Sequence, residues 1–338
     1  MSRRLWLLAL LLVAIHLAAV LAGFVSPYDP TAQDREHPYA PPVHLHWRDA
    51  GGLHLRPFVF AQTSTDLYSY ADDRSAIYPL RFLVHGSPYS VLGVIHSNLH
   101  FAGVDDPATL HLLGTDGFGR DVLARLLYGG QISLLAGLLA TAISLLAGAL
   151  VGGLSGFYGG WADESLMGCS ELFLALPWLY LLFAVRAFLP LHLGPGQAFL
   201  LLIAIIGMIG WARPARLVRG LVLSGKTRNY VLAARGFGAS DTYLLRRHIL
   251  PETAGLLLTQ SALLIPQYIA AEASLSFFGL GVSEPTPSWG NMLSVLQQYN
   301  VLVSYWWLLA PAVALLVTSV TYGLIASALQ QRLESATA

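Results

Sequence analysis

Blocks of apolar residues about as long as a bilayer is thick recur along this chain, and no other feature limits its fold so strongly. They are Leu5 to Val25, Ile132 to Leu154, Leu166 to Leu189, Ala198 to Trp211, Thr253 to Ala271 and Trp306 to Ala328. In hydrocarbon every backbone polar group needs an internal partner, so such blocks fold as helices, ideally of about twenty residues. The expected fold is all-α and integral to the membrane, with six transmembrane helices. Composition agrees: 55% of the residues are hydrophobic and 11% charged, against about 25% charged in soluble domains. The formal net charge is zero, which leaves no electrostatic footprint for nucleic acid. A single cysteine, Cys169, excludes an intrachain disulfide and a cysteine-built metal site.

Arg3 and Arg4 precede the first block, which is long for a signal peptide and right for a span. Residues 1–25 are therefore expected to form an uncleaved first helix with a cytoplasmic N-terminus. Residues 26–112 change character. Nine prolines break any long helix, and nine of the nineteen acidic residues and eight of the eleven histidines fall here. Alternating runs, Val43 to Trp47 and Leu53 to Phe60, suggest small strands. The segment reads as an insert with some β structure on the periplasmic side. His44 and His46 would share a strand face and imidazoles suit nickel or zinc. No carboxylate spacing completes a site, so surface histidines and no metal site are expected. In residues 113–130, Thr115 or Asp116 can cap a helix. Arg120, Asp121 and Arg125 alternate there with Val122, Leu123, Leu126 and Leu127, the pattern of an amphipathic interfacial segment.

Residues 131–330 hold the other five spans. Gly137, Ala140, Ala147, Gly148, Gly152 and Gly153 line the first of these with small side chains, which lets helices approach closely. Counting sides from a cytoplasmic N-terminus puts the loop 213–252 and the tail 331–338 inside. That loop carries eight of the nineteen basic residues, as positive-inside sorting requires. Within it, Asn229 to Pro251 cannot cross a bilayer, because Arg235, Asp241, Arg246 and Arg247 would each cost about 2.5–3.5 kcal/mol at its centre. It reads as two short helices with a break at Gly236 and Gly238. Ser240 caps the second, and Pro251 closes it or opens the next element. Such a compact helical loop on one membrane face is built to touch something.

At these residues the chain resembles a known family. Ala233-Ala234, Gly238 and Leu250-Pro251 resemble the cytoplasmic signature loop of ABC importer permeases, with Leu232 where that pattern has glutamate. Four more stretches resemble the C-type permease of the dipeptide/oligopeptide/nickel group: Leu113 to Val122 (Leu-Gly-Thr-Asp-Gly-Phe-Gly-Arg-Asp-Val), Gly156 to Glu164, Ala271 to Gly281 and Pro285 to Asn291. Within the insert, Arg56 to Val59 and Pro88 to His96 look similar to the microcin C type of peptide permease. The resemblance covers about 113–328 and the first helix. It implies a type I ABC importer permease that forms a pathway for peptides with a paralogous B-type permease. Two ATPase subunits or domains and a periplasmic substrate-binding protein would complete the assembly in the bacterial inner membrane. It further implies an ATPase-coupling loop containing Tyr230, Ala233, Ala234, Arg235, Gly238, Ala239, Ser240, Leu250 and Pro251. The chain has no Gly-rich loop ending in Gly-Lys-Ser or Gly-Lys-Thr. ATP and magnesium are thus expected on the partner ATPase, with no cofactor in this chain.

Four polar residues in or beside spans are candidates for the pathway or a gate. Arg186 can snorkel to the interface or meet a peptide carboxylate. Glu171 can pair structurally or face a water-filled path. Gln267 and Glu272 can serve a gate or a structural hydrogen bond. Rival readings are a nickel or other small-solute permease and a secondary transporter. An intramembrane enzyme is a third, but the spans contain no aspartate and His16 is their only histidine.

Overall fold

A computed structural model describes residues 3–337 except 50, 51, 67, 92, 189, 191 and 192. Leu189 and Ala338, ends of the expected third span and of the tail, lie outside the described residues. The chain divides into two compact units. One comprises Met1–Leu12, Leu135–Leu275 and Val317–Ala338, and the other Val13–Leu134 and Ser276–Leu316.

The helices are α1 (Arg3–Val20), α2 (Ala22–Val25), α3 (Val122–Tyr158), α4 (Gly160–Ala175), α5 (Trp178–Ala187), α6 (Pro195–Gly210) and α7 (Ala212–Gly225). They continue with α8 (Asn229–Gly236), α9 (Asp241–Tyr243), α10 (Ala254–Phe277), α11 (Trp289–Ser294), α12 (Tyr299–Ser304) and α13 (Ala310–Thr337). Four helical runs are long and apolar enough to cross a membrane, or up to six if each bent pair is one span. The bent pairs are α4 with α5, turned by 93° at Leu176 and Pro177, and α6 with α7, turned by 43°. Pro177 supplies no amide hydrogen, and Leu176 before it is extended (ψ 140°), which ends α4 there.

The unit containing the insert is built on antiparallel strands β1 (His46–Asp49), β2 (Gly52–Asp66), β3 (Ser69–Pro79), β4 (Arg81–Val91) and β5 (Ile95–Gly103). They form a three-stranded sheet in the order β1-β2-β3 and a separate β4-β5 pair. Val43, Val59, Ala61, Leu80, Ala102, Ala108 and Leu110 make its core. His100 is buried, its ring nitrogens 2.6 Å from the Gly23 carbonyl, 2.8 Å from that of Ser26 and 2.9 Å from that of Ser87. It ties β4 and β5 to the chain leaving α1. The expected common face of His44 and His46 does not form, because β1 starts only at His46. His46 instead lies over Phe58 and Phe60, and His54 pairs with Asp49 at 3.1 Å.

The expected amphipathic segment 113–130 also takes another form. α3 begins within it, at Val122, and runs unbroken to Tyr158. Arg120, Asp121 and Arg125 are buried, not spread along an interface. The reason is chemical: Arg120 and Arg125 each face carboxylates, and Asp121 accepts a backbone amide and meets the His111 ring. Asp121 caps α3 by accepting the Ala124 amide at 2.6 Å and lies 2.8 Å from Nδ1 of buried His111. Asp116 accepts from the Phe118 and Arg120 amides and from Arg120 Nε. Arg120 Nη1 and Arg125 Nη2 donate to the two oxygens of Glu284, at 2.7 and 2.8 Å.

In the other unit, the small residues of α3 do what their spacing suggests. A side chain at Gly148 would meet Pro214, and one at Gly152 would overlap the Ala215 carbonyl. α7 therefore lies backbone to backbone on α3, with Ala215, Val218 and Val222 buried. Cys169, by contrast, is exposed on α4 and packs no core.

Candidate functional site

The stretch Asn229 to Pro251 folds as two helical pieces around one tight turn. α8 ends at Gly236, and three amides close its end. Phe237 N–H donates to Ala233 O at 3.0 Å, Gly238 N–H to Arg235 O at 2.9 Å, and Ala239 N–H to Ala234 O at 3.1 Å. The last two of these three bonds make a Schellman termination, which needs a left-handed residue after the cap. Gly238 supplies it with φ of +84°, a conformation that costs a side-chain-bearing residue about 1–2 kcal/mol. Ala234 and Ala239, on either side of the turn, pack together against the core of Phe157, Val218, Val222, Val231, Leu244, Leu245 and Ile249. Their small size lets the turn sit flat on that core.

Ser240 then caps α9, its hydroxyl accepting the Tyr243 amide at 3.4 Å, with Asp241 in the first turn. α9 passes without a break into a π turn (Leu244–Ile249), a 3-10 turn (Leu250–Thr253) and α10. Pro251 stands in the first positions of the 3-10 turn, where a missing amide hydrogen costs nothing. It thus opens the next element and does not separate the loop from the span.

Side-chain pairs brace the loop. Tyr230 donates its hydroxyl to Glu252, which also accepts from Arg228 Nη1 at 3.2 Å. Hydrogen bonding to that carboxylate holds the Tyr230 phenol above its ordinary range. Arg235 donates to Asp241 Oδ1 at 3.0 Å and lies over the Phe157 ring. Below the loop, Arg219 makes a two-pronged bond to Asp163, with Nε and Nη2 each 2.5 Å from a carboxylate oxygen. Lys226 Nζ donates to the Gly156 carbonyl at 2.9 Å. These clamps tie the ends of α3, α4 and α7 together. Sequence reasoning missed Asp163, Arg219, Lys226 and Glu252. The Asp and Arg of the clamp are 56 positions apart, so no local spacing signals them.

The exposed face of the turn carries large apolar side chains. Tyr230 is 42% exposed, Leu232 51% and Phe237 93%. Ala233, Arg235, Gly238 and Ser240 are also exposed, while Leu250 is half-buried. Leu232, where the resembled pattern has glutamate, belongs to this face.

The four pathway candidates are not brought to one place. Gln267 lines a cavity of about 230 Å3 where the breaks α4/α5 and α6/α7 meet α10. Glu171 is exposed on α4, and Glu272 is fully buried on α10. Arg186 is buried at the end of α5, with Nη1 donating to the Pro190 carbonyl at 3.0 Å. This bond ties the end of α5 to the segment that follows it.

Comparison with known proteins identifies the family. A family model described as "Binding-protein-dependent transport system inner membrane component" matches residues 125–337. The dipeptide transport system permease protein DppC of Bacillus subtilis (strain 168) is 37% identical over 251 residues, 73% of this chain and 74% of the relative. The oligopeptide transport system permease protein OppC of the same organism is 36% identical, covering 71% and 76%. OppC of Escherichia coli (strain K12) is 34% identical over 273 residues, 78% of this chain and 88% of the relative. With residues 125–337 matched by the family model and about three quarters or more of each of these relatives covered, this chain belongs to the binding-protein-dependent transport system inner membrane components, the permease subunits of ABC transporters.

Proposed function

We propose that this permease subunit carries peptides inward across the bacterial inner membrane, driven by ATP. The observation that carries the reading is the set of relatives: three permeases named for dipeptides or oligopeptides, and a fourth, from Pectobacterium atrosepticum, named for glutathione and 35% identical over 231 residues. In this proposal a paralogous B-type permease completes the pathway, and a periplasmic binding protein delivers the substrate. Two ATPase subunits or domains bind ATP and magnesium. Transport itself makes and breaks no bond in this chain.

The proposed seat for an ATPase is the turn at Gly238. Its support is physical: an exposed apolar face of Tyr230, Leu232 and Phe237 sits on a braced base that transmits displacement without bending. Both termini and the loop 213–252 are placed in the cytoplasm, and the insert 26–112 in the periplasm, on the strength of the basic loop. Gln267, Glu272, Glu171 and Arg186 are proposed as pathway or gate residues, Gln267 first because it lines a cavity.

The test is reconstitution of this chain with the partner subunits encoded beside it. ATP-dependent uptake of a labelled peptide, absent with a non-hydrolysable nucleotide, is the expected result. Uptake of Ni²⁺ but not peptide supports the small-solute reading. Peptide movement under an ion gradient without ATPase subunits supports a secondary transporter.

A further inference from the structure

We propose that the cavity beside the helix breaks is a subsite for the free carboxylate end of a peptide, with Arg213 as its anion-binding group. The proposal rests on the peptide-importer reading and adds what part of the peptide this chain recognises. The cavity, about 230 Å3, is walled by Phe173, Trp178 and Leu264, and its polar lining is Arg213, Gln267 and Tyr268. Among the described residues no acidic side chain lines it.

Charge balance and position together single out Arg213: Arg246 and Arg247 are also exposed and without an ion pair among the described residues, but they do not line this cavity. On the same stretch of chain Arg219, Arg228 and Arg235 each hold a carboxylate. Arg213 has none within ion-pair distance among the described residues, and it is exposed at the cavity. Arg216 is exposed too, but it does not line the cavity. Positive-inside sorting accounts for an arginine in this loop; it does not account for one set among two aromatic walls and an amide.

The lining matches the chemistry of a peptide's last residue. A guanidinium fork takes a carboxylate through two parallel bonds. The Gln267 amide offers both donor and acceptor to the adjoining peptide bond. Phe173 and Trp178 receive an apolar side chain. The Tyr268 hydroxyl is already bonded to Ser144 at 2.9 Å, so it serves as a fixed wall. The volume lies below the range of about 300–1,000 Å3 that holds a drug-sized ligand, which suits one terminal residue, not a whole oligopeptide. Every unblocked peptide has this end, so the subsite would not narrow side-chain range elsewhere in the substrate.

The experiment uses the full transporter in nanodiscs without its binding protein, and as probes N-acetylphenylalanine and its amide. The acid is expected to bind about tenfold to a hundredfold more tightly than the amide, the range for a hydrogen bond to a charged group. Arg213→Gln should erase that preference, and Arg213→Lys should keep part of it. Trp178→Ala should weaken acid and amide alike. Equal binding of acid and amide by the unmodified protein, or an unchanged preference in Arg213→Gln, overturns the subsite. So does a preference that appears only in nanodiscs of neutral lipid and is lost in anionic lipid, which assigns Arg213 to lipid headgroups. Peptide uptake is measured separately: uptake without acid preference sinks the subsite alone, whereas no peptide uptake sinks the importer reading.

Discussion

The Ala239 amide reaches back across Gly238 to the Ala234 carbonyl, 3.1 Å away, and this one bond decides the shape of the loop. It exists only while residue 238 is left-handed. Open space surrounds Gly238, with no atom within 4 Å of an added Cβ, so strain and not crowding limits substitution. Gly238→Val is expected to cost about 1–2 kcal/mol locally and to leave the protein in the membrane. ATP-dependent uptake should fall severalfold, measured in vesicles at matched expression. Normal uptake at matched levels removes this turn from the coupling route.

Phe237 is 93% exposed. A phenylalanine side chain that becomes fully covered gains about 1.5–3 kcal/mol. Phe237→Ala should therefore weaken association with the ATPase subunits by about tenfold to a hundredfold while leaving thermal unfolding of the isolated permease unchanged. A titration of labelled ATPase against the permease in detergent reads the first, and a melting curve the second.

Glu284 is half exposed, yet it is the carboxylate for two buried guanidiniums, those of Arg120 and Arg125. Glu284→Ala leaves both cations with Asp116 alone, at 2.7 Å from Arg120 and 3.6 Å from Arg125. Breaking a buried pair costs about 3–5 kcal/mol, and the exposure of Glu284 lowers this to about 2 kcal/mol. Thermal unfolding in detergent should begin several degrees lower, and Glu284→Asp should recover part of the loss.

Tyr28 gives the insert a limit on the alkaline side. Burial pushes its phenol from 10.0 to about 12, against the bond its oxygen accepts from the Leu110 amide. A raised folded-state pKa means that the stabilising contribution is complete below pH 10.0 and is lost as pH rises towards about 12. Melting temperature should fall over that window, and Tyr28→Phe should flatten the fall. At neutral pH the same variant should cost about 1 kcal/mol, because the Leu110 amide loses its acceptor.

What could be read from the sequence was set by range. Apolar block length is local, and each block falls on a helix or a bent helix pair, giving four candidate spans or up to six if each bent pair is one span; Gly238, Ser240 and Pro251 are local too, and each takes the backbone role its chemistry dictates. The block Leu166 to Leu189 read as one span and gave no sign of the 93° turn at Pro177, since a proline forbids a bond but does not choose a direction. Arg120 and Arg125 looked like the polar side of an interfacial helix because Glu284 is 164 and 159 positions away. A one-dimensional pattern has no term for that distance. Within the basic loop 213–252 only Asn229 to Pro251 read as helical, but the fourteen residues Ala212–Gly225 at its start form α7. Its apolar residues Ala215, Val218 and Val222 lie at helical spacing, a signal that the arginines between them masked.

The π turn at Leu244–Ile249 lies inside one helical run from Asp241 to Phe277. A π turn holds about one residue more than an α turn, and one residue of an α-helix is about 100° of rotation. That surplus residue acts as a phase adjuster. It fixes the compass bearing of Ser240 and the Gly238 turn about the axis of α10 without altering which side chains α10 presents along the span. Deleting a single residue within Leu244–Ile249 would leave the rod intact and point its handle elsewhere.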